Sequence, residues 1–204
     1  MPNRQVYVID DEYEVRLTLE NIFRFAGFAV TSFSSASDAL NSNLAQVNSC
    51  IILDLNMPDI GGLEFQDLLK DKGLRIPIII YSGQADVDSA VAAMADGAYT
   101  LVQKPAPNHV LIEQVNKAIS NFNQADKHLN QCLIAKHSLD KLSHRELEIA
   151  KLFANGCSAI EVADSLFISR RTAEAHKVSI FNKLEIKSVA LLAQIVLLAN
   201  MLDG

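Results

Sequence analysis

Short apolar runs alternate with helical patterns along the first part of the chain. The apolar runs have the length of strands and lie at 6–9, 28–33, 50–53, 76–81 and 99–102. Helical spacing of apolar residues predicts helices between them, at 15–26, 35–44, 63–70 and 86–96, with a last one after 107–108. The central runs are almost wholly apolar, as in strands that are buried on both faces. The pattern therefore predicts an α/β doubly wound fold around a five-stranded parallel sheet.

The pattern changes in the second part of the chain, where strand-like alternation no longer occurs. Ser143 with Glu146, and Ser158 with Glu161, have the spacing of capping boxes, which mark the starts of helices. Two further helices are predicted at 169–184 and 189–202. This part is therefore predicted to be a small all-α domain.

The two parts also differ in charge. The chain has a net charge of −6, but residues 1–124 carry 8 basic and 15 acidic side chains, whereas residues 125–204 carry 10 and 9. An acidic part joined to a near-neutral part indicates two functions, one of which can be nucleic-acid binding. We expect a domain at 1–121, a linker that can be helical at 122–138, and the all-α domain at 139–204.

Composition excludes several classes of protein. Half of the residues are hydrophobic and 21% are charged, so both parts can form cores and a disordered chain is excluded. The most apolar stretch, 190–202, is 13 residues long and contains two amides, so it predicts a packed or dimer-forming helix rather than a membrane span. The amino terminus does not have the pattern of a secretory signal, which predicts a cytoplasmic protein. The three cysteines are far apart and are expected to be reduced.

Reactive side chains follow four of the predicted strands. Asp10 and Asp11 come after the first strand, Asp54 after the third, Ser82 after the fourth and Lys104 after the fifth. The carboxyl ends of parallel strands meet at one edge of a sheet, where ligands bind. Three carboxylates at one edge repel one another unless a cation is present, and oxygen ligands suit magnesium. With magnesium present, Asp54 can attack a phosphoryl group while Lys104 and Ser82 hold its oxygens.

These residues belong to motifs that resemble the receiver domains of two-component response regulators. The resemblance covers residues 4–120 and rests on the motifs at 8–12, 52–54, 57–62, 81–83, 97–98 and 104–105. It implies that Asp54 accepts a phosphoryl group from a sensor histidine kinase. It also implies that a magnesium ion is bound by Asp10, Asp11, Asp54 and the backbone carbonyl of Asn56.

The resemblance further implies a set of switch residues. Ser82 and Lys104 would sense the phosphoryl group, and Pro105 would be a cis-proline that positions Lys104. Receivers usually have an aromatic residue three places before this lysine, but here that residue is Leu101, and the nearest aromatic residue is Tyr99. The switch set is therefore expected to comprise Ser82, Tyr99, Leu101, Lys104 and Pro105.

The second part of the chain is similar to the LuxR-type helix-turn-helix. The matching residues are Leu142 to Glu146, Ala154 to Gly156, Ile160 to Ala163, Leu166 to Ser169, Arg171, Thr172, His176, Ile180, Lys183 and Leu184. The resemblance implies a scaffold helix at 158–165, a turn at 166–169 and a recognition helix at 169–184 that enters the major groove. On the last helix, the face with Ala173, His176, Ile180 and Leu184 is expected to pack inward.

The other face of this helix is expected to contact DNA. Five basic residues exceed two acidic ones in and beside the helix, and this local excess of positive charge suits phosphate contact. As a hypothesis, Glu174 accepts hydrogen bonds from cytosine or adenine amino groups, while Ala175 and Val178 touch thymine methyl groups. The predicted DNA-binding residues are Ser169, Arg170, Arg171, Thr172, Glu174, Ala175, Lys177, Val178, Asn182, Lys183 and Lys187.

The favoured interpretation is a response regulator of the NarL/FixJ type, which is a transcription regulator and not an enzyme. Its expected partners are a sensor histidine kinase, double-stranded DNA, a second copy of the chain and RNA polymerase. One alternative is an enzyme that works through an aspartyl-phosphate, although hydrolases of the haloacid dehalogenase type need an acid where Asn56 stands. Another is an interaction module whose helical domain does not bind DNA.

Overall fold

The computed structural model describes residues 4–83 and 87–202. They form two compact units, and the division between the units falls between Gln124 and Ala125. No helix in these two described ranges is both long and apolar enough to cross a membrane.

The first unit is built on a parallel sheet. Its strands are β1 (Gln5–Ile9), β2 (Ala29–Phe33), β3 (Ser49–Leu53), β4 (Ile78–Ser82) and β5 (Thr100–Gln103). Its helices are α1 (Tyr13–Phe25), α2 (Ala36–Asn41), α3 (Gly62–Asp71), α4 (Val87–Ala95) and the first part of α5 (Asn108–Leu139). The strands are paired in the order β2-β1-β3-β4-β5, and every pair is parallel. The predicted doubly wound fold is confirmed.

Several predicted boundaries were wrong by a few residues, for local reasons. Strand β4 begins at Ile78 rather than at residue 76, because Pro77 has no amide hydrogen to donate to the sheet. Helix α2 ends at Asn41 rather than at residue 44, because the amide and hydroxyl of Ser42 both donate to the carbonyl of Ala39. The predicted start of α4, residue 86, lies outside the described residues.

The sheet separates two apolar layers. Tyr7 and Ile9 of β1 point into the layer that contains buried residues of α2, α3 and α4, whereas Val6 and Val8 point into the layer with α1 and α5. Strands β3 and β4 are buried along their whole length. Burial on both faces fixes the register of the central strands, because a slip by one residue would exchange the two faces. The loops that follow these strands are therefore held in fixed positions.

The second unit consists of helices. It contains the end of α5 together with α6 (His144–Ala154), α7 (Ala159–Leu166), α8 (Arg170–Leu184) and α9 (Val189–Asn200). Residues 122–138 lie within α5, and Ala135 and Leu139 of this helix are buried in the core of this unit. Both predicted capping boxes are present, so the starts of α6 and α7 are confirmed.

Helix α3 begins very close to the loop that follows β3. A Cβ atom at Gly62 would lie 2.9 Å from the carbonyl oxygen of Asp54 and 3.0 Å from the Cα of Leu55. The amide of Gly62 also donates to the carbonyl of Leu55. Any side chain at this position would push the helix away from the residue that the sequence predicts to be the nucleophile.

We expect Gly62→Ala to lower the free energy of unfolding by about 1–3 kcal/mol, because the backbone atoms of Asp54 and Leu55 that the new Cβ would meet cannot move aside cheaply. The matched control is Gly61→Ala, where an added Cβ meets nothing within 4 Å. The measurement is urea unfolding of the full chain, followed by far-UV circular dichroism. Equal losses in the two variants would contradict the close packing at Gly62.

Candidate functional site

The carboxyl ends of four strands bring together the side chains that the sequence predicts to be reactive. Asp10 follows β1, Asp54 follows β3, Ser82 ends β4 and Lys104 follows β5. Backbone hydrogen bonds extend the sheet by one residue at these ends. The amide of Asp54 donates to the carbonyl oxygen of Ile9, and the amide of Lys104 donates to the carbonyl oxygen of Ser82, each at 2.9 Å. The sheet itself therefore sets the spacing of the site.

A lysine lies between two buried carboxylates. The Nζ atom of Lys104 is 2.6 Å from Oδ2 of Asp10 and 2.7 Å from Oδ2 of Asp54. Asp10 is 2% exposed and Asp54 is 5% exposed. The other carboxylate oxygen of Asp54 accepts a hydrogen bond from the backbone amide of Asn56 at 3.2 Å. These three side chains from three strands form the centre of the site.

Burial and hydrogen bonding have opposite effects on the pKa values of Asp10 and Lys104. Burial raises the pKa of Asp10 above its ordinary value, although hydrogen bonds from Lys104 and from the amide of Glu12 act in the other direction. Burial also lowers the pKa of Lys104, but its hydrogen bonds to the two aspartates outweigh that effect and leave the pKa raised. Lys104 is therefore an ammonium ion whose charge both aspartates share.

A third acid at the site is Glu12, which the sequence interpretation did not include. Carboxylate oxygens of Asp10, Glu12 and Asp54 lie within 4.8 Å of one another, and Glu12 is 3.8 Å from Lys104. The side chain of Asp11 is exposed and is not part of this cluster. Arg16 donates to the backbone carbonyls of both Asp10 and Asp11, which holds the loop in place. Glu12 closes the motif at 8–12 on which the resemblance rests, and its place directly after the two predicted acids was a signal for it.

Ser82 and Tyr81 complete the surroundings of Lys104. The hydroxyl group of Ser82 is buried and has no hydrogen-bond partner among the described residues. The Lys104 ammonium lies 5.6 Å from the centre of the Tyr81 ring, and the Tyr81 hydroxyl accepts a bond from the amide of Ala106. The peptide bond between Lys104 and Pro105 is cis, as the resemblance implied. Tyr81 was not among the predicted site residues.

The two other predicted switch residues lie on opposite faces of the sheet. Leu101, in the middle of β5, packs in the layer that includes α3 and α4. Tyr99 precedes β5, packs in the layer that includes α5, and accepts a hydrogen bond from Asn121. Because Tyr99 lies at the amino end of this strand and Lys104 follows its carboxyl end, Tyr99 is at the end remote from Ser82.

Helix α8 presents the predicted DNA-contacting face to solvent. Ala173 and Ile180 are buried, and His176 and Leu184 are half-buried, so the predicted inner face is confirmed. Ser169 caps the helix by accepting a bond from the amide of Thr172. The exposed residues of the predicted set are Ser169, Arg170, Arg171, Thr172, Glu174, Ala175, Val178, Asn182, Lys183 and Lys187.

The five basic residues of this region are in different environments. Arg170, Arg171 and Lys187 are exposed and make no ion pair within the described ranges. Lys177 is half-buried, with its ammonium 5.1 Å from the centre of the Phe153 ring. Lys183 is 2.6 Å from the carboxylate of Glu146. Three of the five cations are therefore directly available to a phosphate.

Glu146 fixes the position of α8 relative to α6. Its carboxylate is almost completely buried and accepts hydrogen bonds from Lys183, from the amide and hydroxyl of Ser143, and from the hydroxyl of Ser179. These bonds, with that from Lys183 the strongest, lower the pKa of Glu146 to about 2. The sequence predicted Glu146 only as part of a capping box.

Comparisons with known proteins identify the class of protein that this fold and site define. The family described as the response regulator receiver domain matches residues 6–116. The family described as bacterial regulatory proteins, luxR family, matches residues 140–196. The chain therefore belongs to the response regulators that carry a receiver domain and a LuxR-type domain.

Individual relatives cover almost the whole chain. Transcriptional regulatory protein TdiR of Thauera aromatica is 37% identical over 90% of this chain and 81% of its own length. Transcriptional regulatory protein FixJ of Rhizobium meliloti is 32% identical over 97% of both chains. The solved structure of response regulator StyR has a TM-score of 0.79 at 29% identity and covers 95% of this chain and 98% of its own. This chain is thus a DNA-binding response regulator of a two-component system, in a family of transcription regulators rather than enzymes.

Replacing Glu146 by Gln should lower the free energy of unfolding by roughly 2 kcal/mol at neutral pH, because Lys183 loses its carboxylate partner. The pKa of Glu146 is below its ordinary value of 4.5 in the folded chain, so this stabilisation is complete above that ordinary value. It is lost as the pH falls towards about 2. The measurement is native-state hydrogen exchange of the α6 and α8 amides as a function of pH.

The control for this prediction is Glu148→Gln on the same helix. Glu148 pairs with Arg145 at the surface, so its replacement should cost less than about 1 kcal/mol. A difference between wild type and Glu146→Gln that stays constant down to about pH 2 would contradict the assigned ion pair.

Proposed function

We propose that a sensor histidine kinase phosphorylates this protein on Asp54, and that phosphorylation controls promoter binding by α8. The observation that carries the proposal is the position of Asp54: its nearly buried carboxylate follows β3 and lies 2.7 Å from the Lys104 ammonium. Receiver domains interact with histidine kinases, and LuxR-type domains bind DNA. Because both families match this one chain, it has one domain suited to receive the phosphoryl group and another suited to bind DNA.

The side chains at the site suit a phosphoryl transfer. A carboxylate oxygen of Asp54 forms the new bond to phosphorus as the bond between phosphorus and the nitrogen of the donor histidine breaks. Lys104 is close enough to pair with an oxygen of the transferred group. The buried Ser82 hydroxyl, which has no partner among the described residues, can donate to another oxygen.

The donor set at this edge fits a divalent cation. Asp10, Glu12 and Asp54 supply three negative charges around the positive charge of Lys104, and all of these side chains offer oxygen ligands. Hard cations such as magnesium prefer such ligands. We propose that Asp10, Asp11, Asp54 and the carbonyl of Asn56 hold it. When bound, the ion offsets negative charge on the phosphoryl oxygens.

Phosphorylation is proposed to act through β4 and β5. Ser82 ends β4 and Lys104 follows β5, so a phosphoryl group held by both would pull on two neighbouring strands. Tyr81 is proposed to join this switch with Ser82, Leu101, Lys104 and Pro105, because its ring lies beside Lys104 and its hydroxyl bonds to the segment after Pro105. Tyr99 is too far along the strand to contact the same group.

A homodimer is the proposed form on DNA. Leu197 of helix α9 and its C-cap residue Met201 are exposed, lie four residues apart, and form a short apolar strip on the side opposite the buried residues of the helix. A second copy of the chain can cover this strip. Two recognition helices would then meet half-sites about one helical turn apart.

Treatment with acetyl phosphate should add one phosphoryl group to wild type and none to Asp54→Asn, because the amide is not a nucleophile. Asp71→Asn is the matched control, since Asp71 is an exposed aspartate at the end of α3. Intact-protein mass spectrometry gives the measurement. If Asp54→Asn takes up as much phosphate as wild type, Asp54 is not the acceptor.

Two substitutions on α8 should separate phosphate contact from base contact. Arg171→Ala should weaken binding to all DNA sequences alike and reduce the slope of log affinity against log salt by about 0.9. Glu174→Ala should change the bases that are preferred in a binding-site selection, because a carboxylate accepts hydrogen bonds from cytosine or adenine amino groups.

The control for both is Lys127→Ala, which removes an exposed positive charge from α5. It should leave the salt dependence and the selected sites unchanged. An unaltered salt slope for Arg171→Ala would rule out its phosphate contact. An unaltered site preference for Glu174→Ala would rule out its base contact.

A further inference from the structure

The turn between α7 and α8 contains a residue in a strained backbone conformation. Phe167 has a φ of 53° and a ψ of 45°, which is the left-handed region that residues with a Cβ atom rarely adopt. Phe167 is also 97% exposed, so packing of its side chain does not hold this conformation. Contacts of the backbone must therefore hold it.

The conformation of this turn decides how α8 is presented. Phe167 is followed by Ile168, by the cap residue Ser169 and by Arg170, the first residue of α8. A change in the dihedral angles of Phe167 would redirect the chain that follows it. The exposed residues at the start of α8 are those that the sequence predicts to contact DNA. The turn therefore sets the orientation in which they meet a DNA groove.

Local contacts hold part of the turn. The amides of Phe167 and Ile168 both donate to the carbonyl of Ala163. The side chains of Leu166 and Ile168 pack against the core of the second unit. The carbonyl of Leu166 takes no part in these contacts, and as one of the last carbonyls of α7 it has no acceptor role within the helix. It is thus open to a donor from another element.

A side chain of α6 reaches this carbonyl. The Nη2 atom of Arg145 is 2.9 Å from the carbonyl oxygen of Leu166, and its Nη1 atom is 2.7 Å from the carboxylate of Glu148. The carbonyl belongs to the peptide plane between Leu166 and Phe167, and rotation of this plane changes the φ of Phe167. Hydrogen bonds from a charged donor are among the stronger ones. Arg145 is therefore bonded to the peptide plane that determines the strained conformation.

We propose that Arg145 is a positioning residue for DNA recognition. Its bond to the Leu166 carbonyl keeps Phe167 in the left-handed conformation, and the turn then presents α8 in the orientation that reads bases. Arg145 acts through the turn and not through a contact of its own with DNA. The role in recognition rests on the proposed binding of DNA by α8, but the state of the turn can be measured without DNA.

The first test measures the turn in the full chain without DNA. Hydrogen exchange of the Ile168 amide reports the turn, since this amide donates to Ala163. Arg145→Ala should speed the exchange about 5–10-fold, because the strained conformation loses the bond that holds it. Lys151→Ala removes another exposed positive charge from α6 and is the matched control, which should exchange as wild type does.

The second test adds Phe167→Gly to Arg145→Ala. Glycine adopts a positive φ without a steric cost, so the turn should no longer depend on the bond from Arg145. Exchange of the Ile168 amide in the double variant should therefore lie within about twofold of that in Phe167→Gly alone. A residue that stabilised α6 in general would not be made dispensable by a glycine in the turn.

The third test uses DNA and separates positioning from contact with a phosphate. The probes are a duplex that wild type selects from a random pool and a scrambled duplex of the same length. Arg145→Ala should weaken binding to the selected duplex about 10-fold and to the scrambled duplex less than about threefold, with an unchanged slope of log affinity against log salt. Phe167→Gly in the same chain should restore the preference for the selected duplex.

Three results would overturn the proposal. The first is equal exchange of the Ile168 amide in wild type and Arg145→Ala. The second is a salt slope that falls by about 0.9 in Arg145→Ala and is not restored by Phe167→Gly, which would make Arg145 a phosphate contact. The third is that wild type selects no duplex. This last result would also contradict the function proposed for α8, whereas the exchange measurement still decides whether Arg145 holds the turn.

Discussion

The contact of Lys104 with two buried carboxylates is the interaction on which the candidate site at the carboxyl end of the sheet depends. Asp10, Asp54 and Lys104 follow three different strands, so their distances of 2.6 and 2.7 Å require the sheet to have one particular register. Ile9 is paired with Leu53, which places the two following aspartates side by side. A buried charge that loses its partner costs about 3–5 kcal/mol, so the apolar sheet and the charged site stabilise the same register.

This dependence explains why the fold could be predicted from the sequence more completely than the site. Apolar strands and helical spacing are local patterns, and they gave the five strands and their order of appearance. The contacts at the site depend on side-chain direction in loops: Glu12 turns towards Lys104, whereas Asp11 beside it faces solvent. Two neighbouring acids look alike in a sequence, and only the path of the loop held by Arg16 separates them.

The same limit applied to the basic residues of the second unit. A count of charges in and beside α8 treats Lys177 and Lys183 as equal to Arg170 and Arg171. In the folded unit the ammonium of Lys177 lies over Phe153, and that of Lys183 is bound to Glu146. Glu146 is 37 residues before Lys183 in the chain, and no local pattern connects them. The helix boundaries were predictable because caps are local, whereas the partners of long side chains were not.

Asp10 and Glu146 show how one kind of contact can serve two purposes. Both are buried carboxylates beside a lysine, yet the pKa of Asp10 is raised and that of Glu146 is lowered. At Asp10 burial is the largest effect on the pKa and outweighs the hydrogen bonds from Lys104 and from the amide of Glu12. At Glu146 the hydrogen bond from Lys183 is the largest effect on the pKa, and with three further hydrogen bonds from Ser143 and Ser179 it outweighs burial. A cation bound beside Asp10 would therefore lower its pKa, whereas the Glu146 carboxylate is already paired and holds α8 against α6.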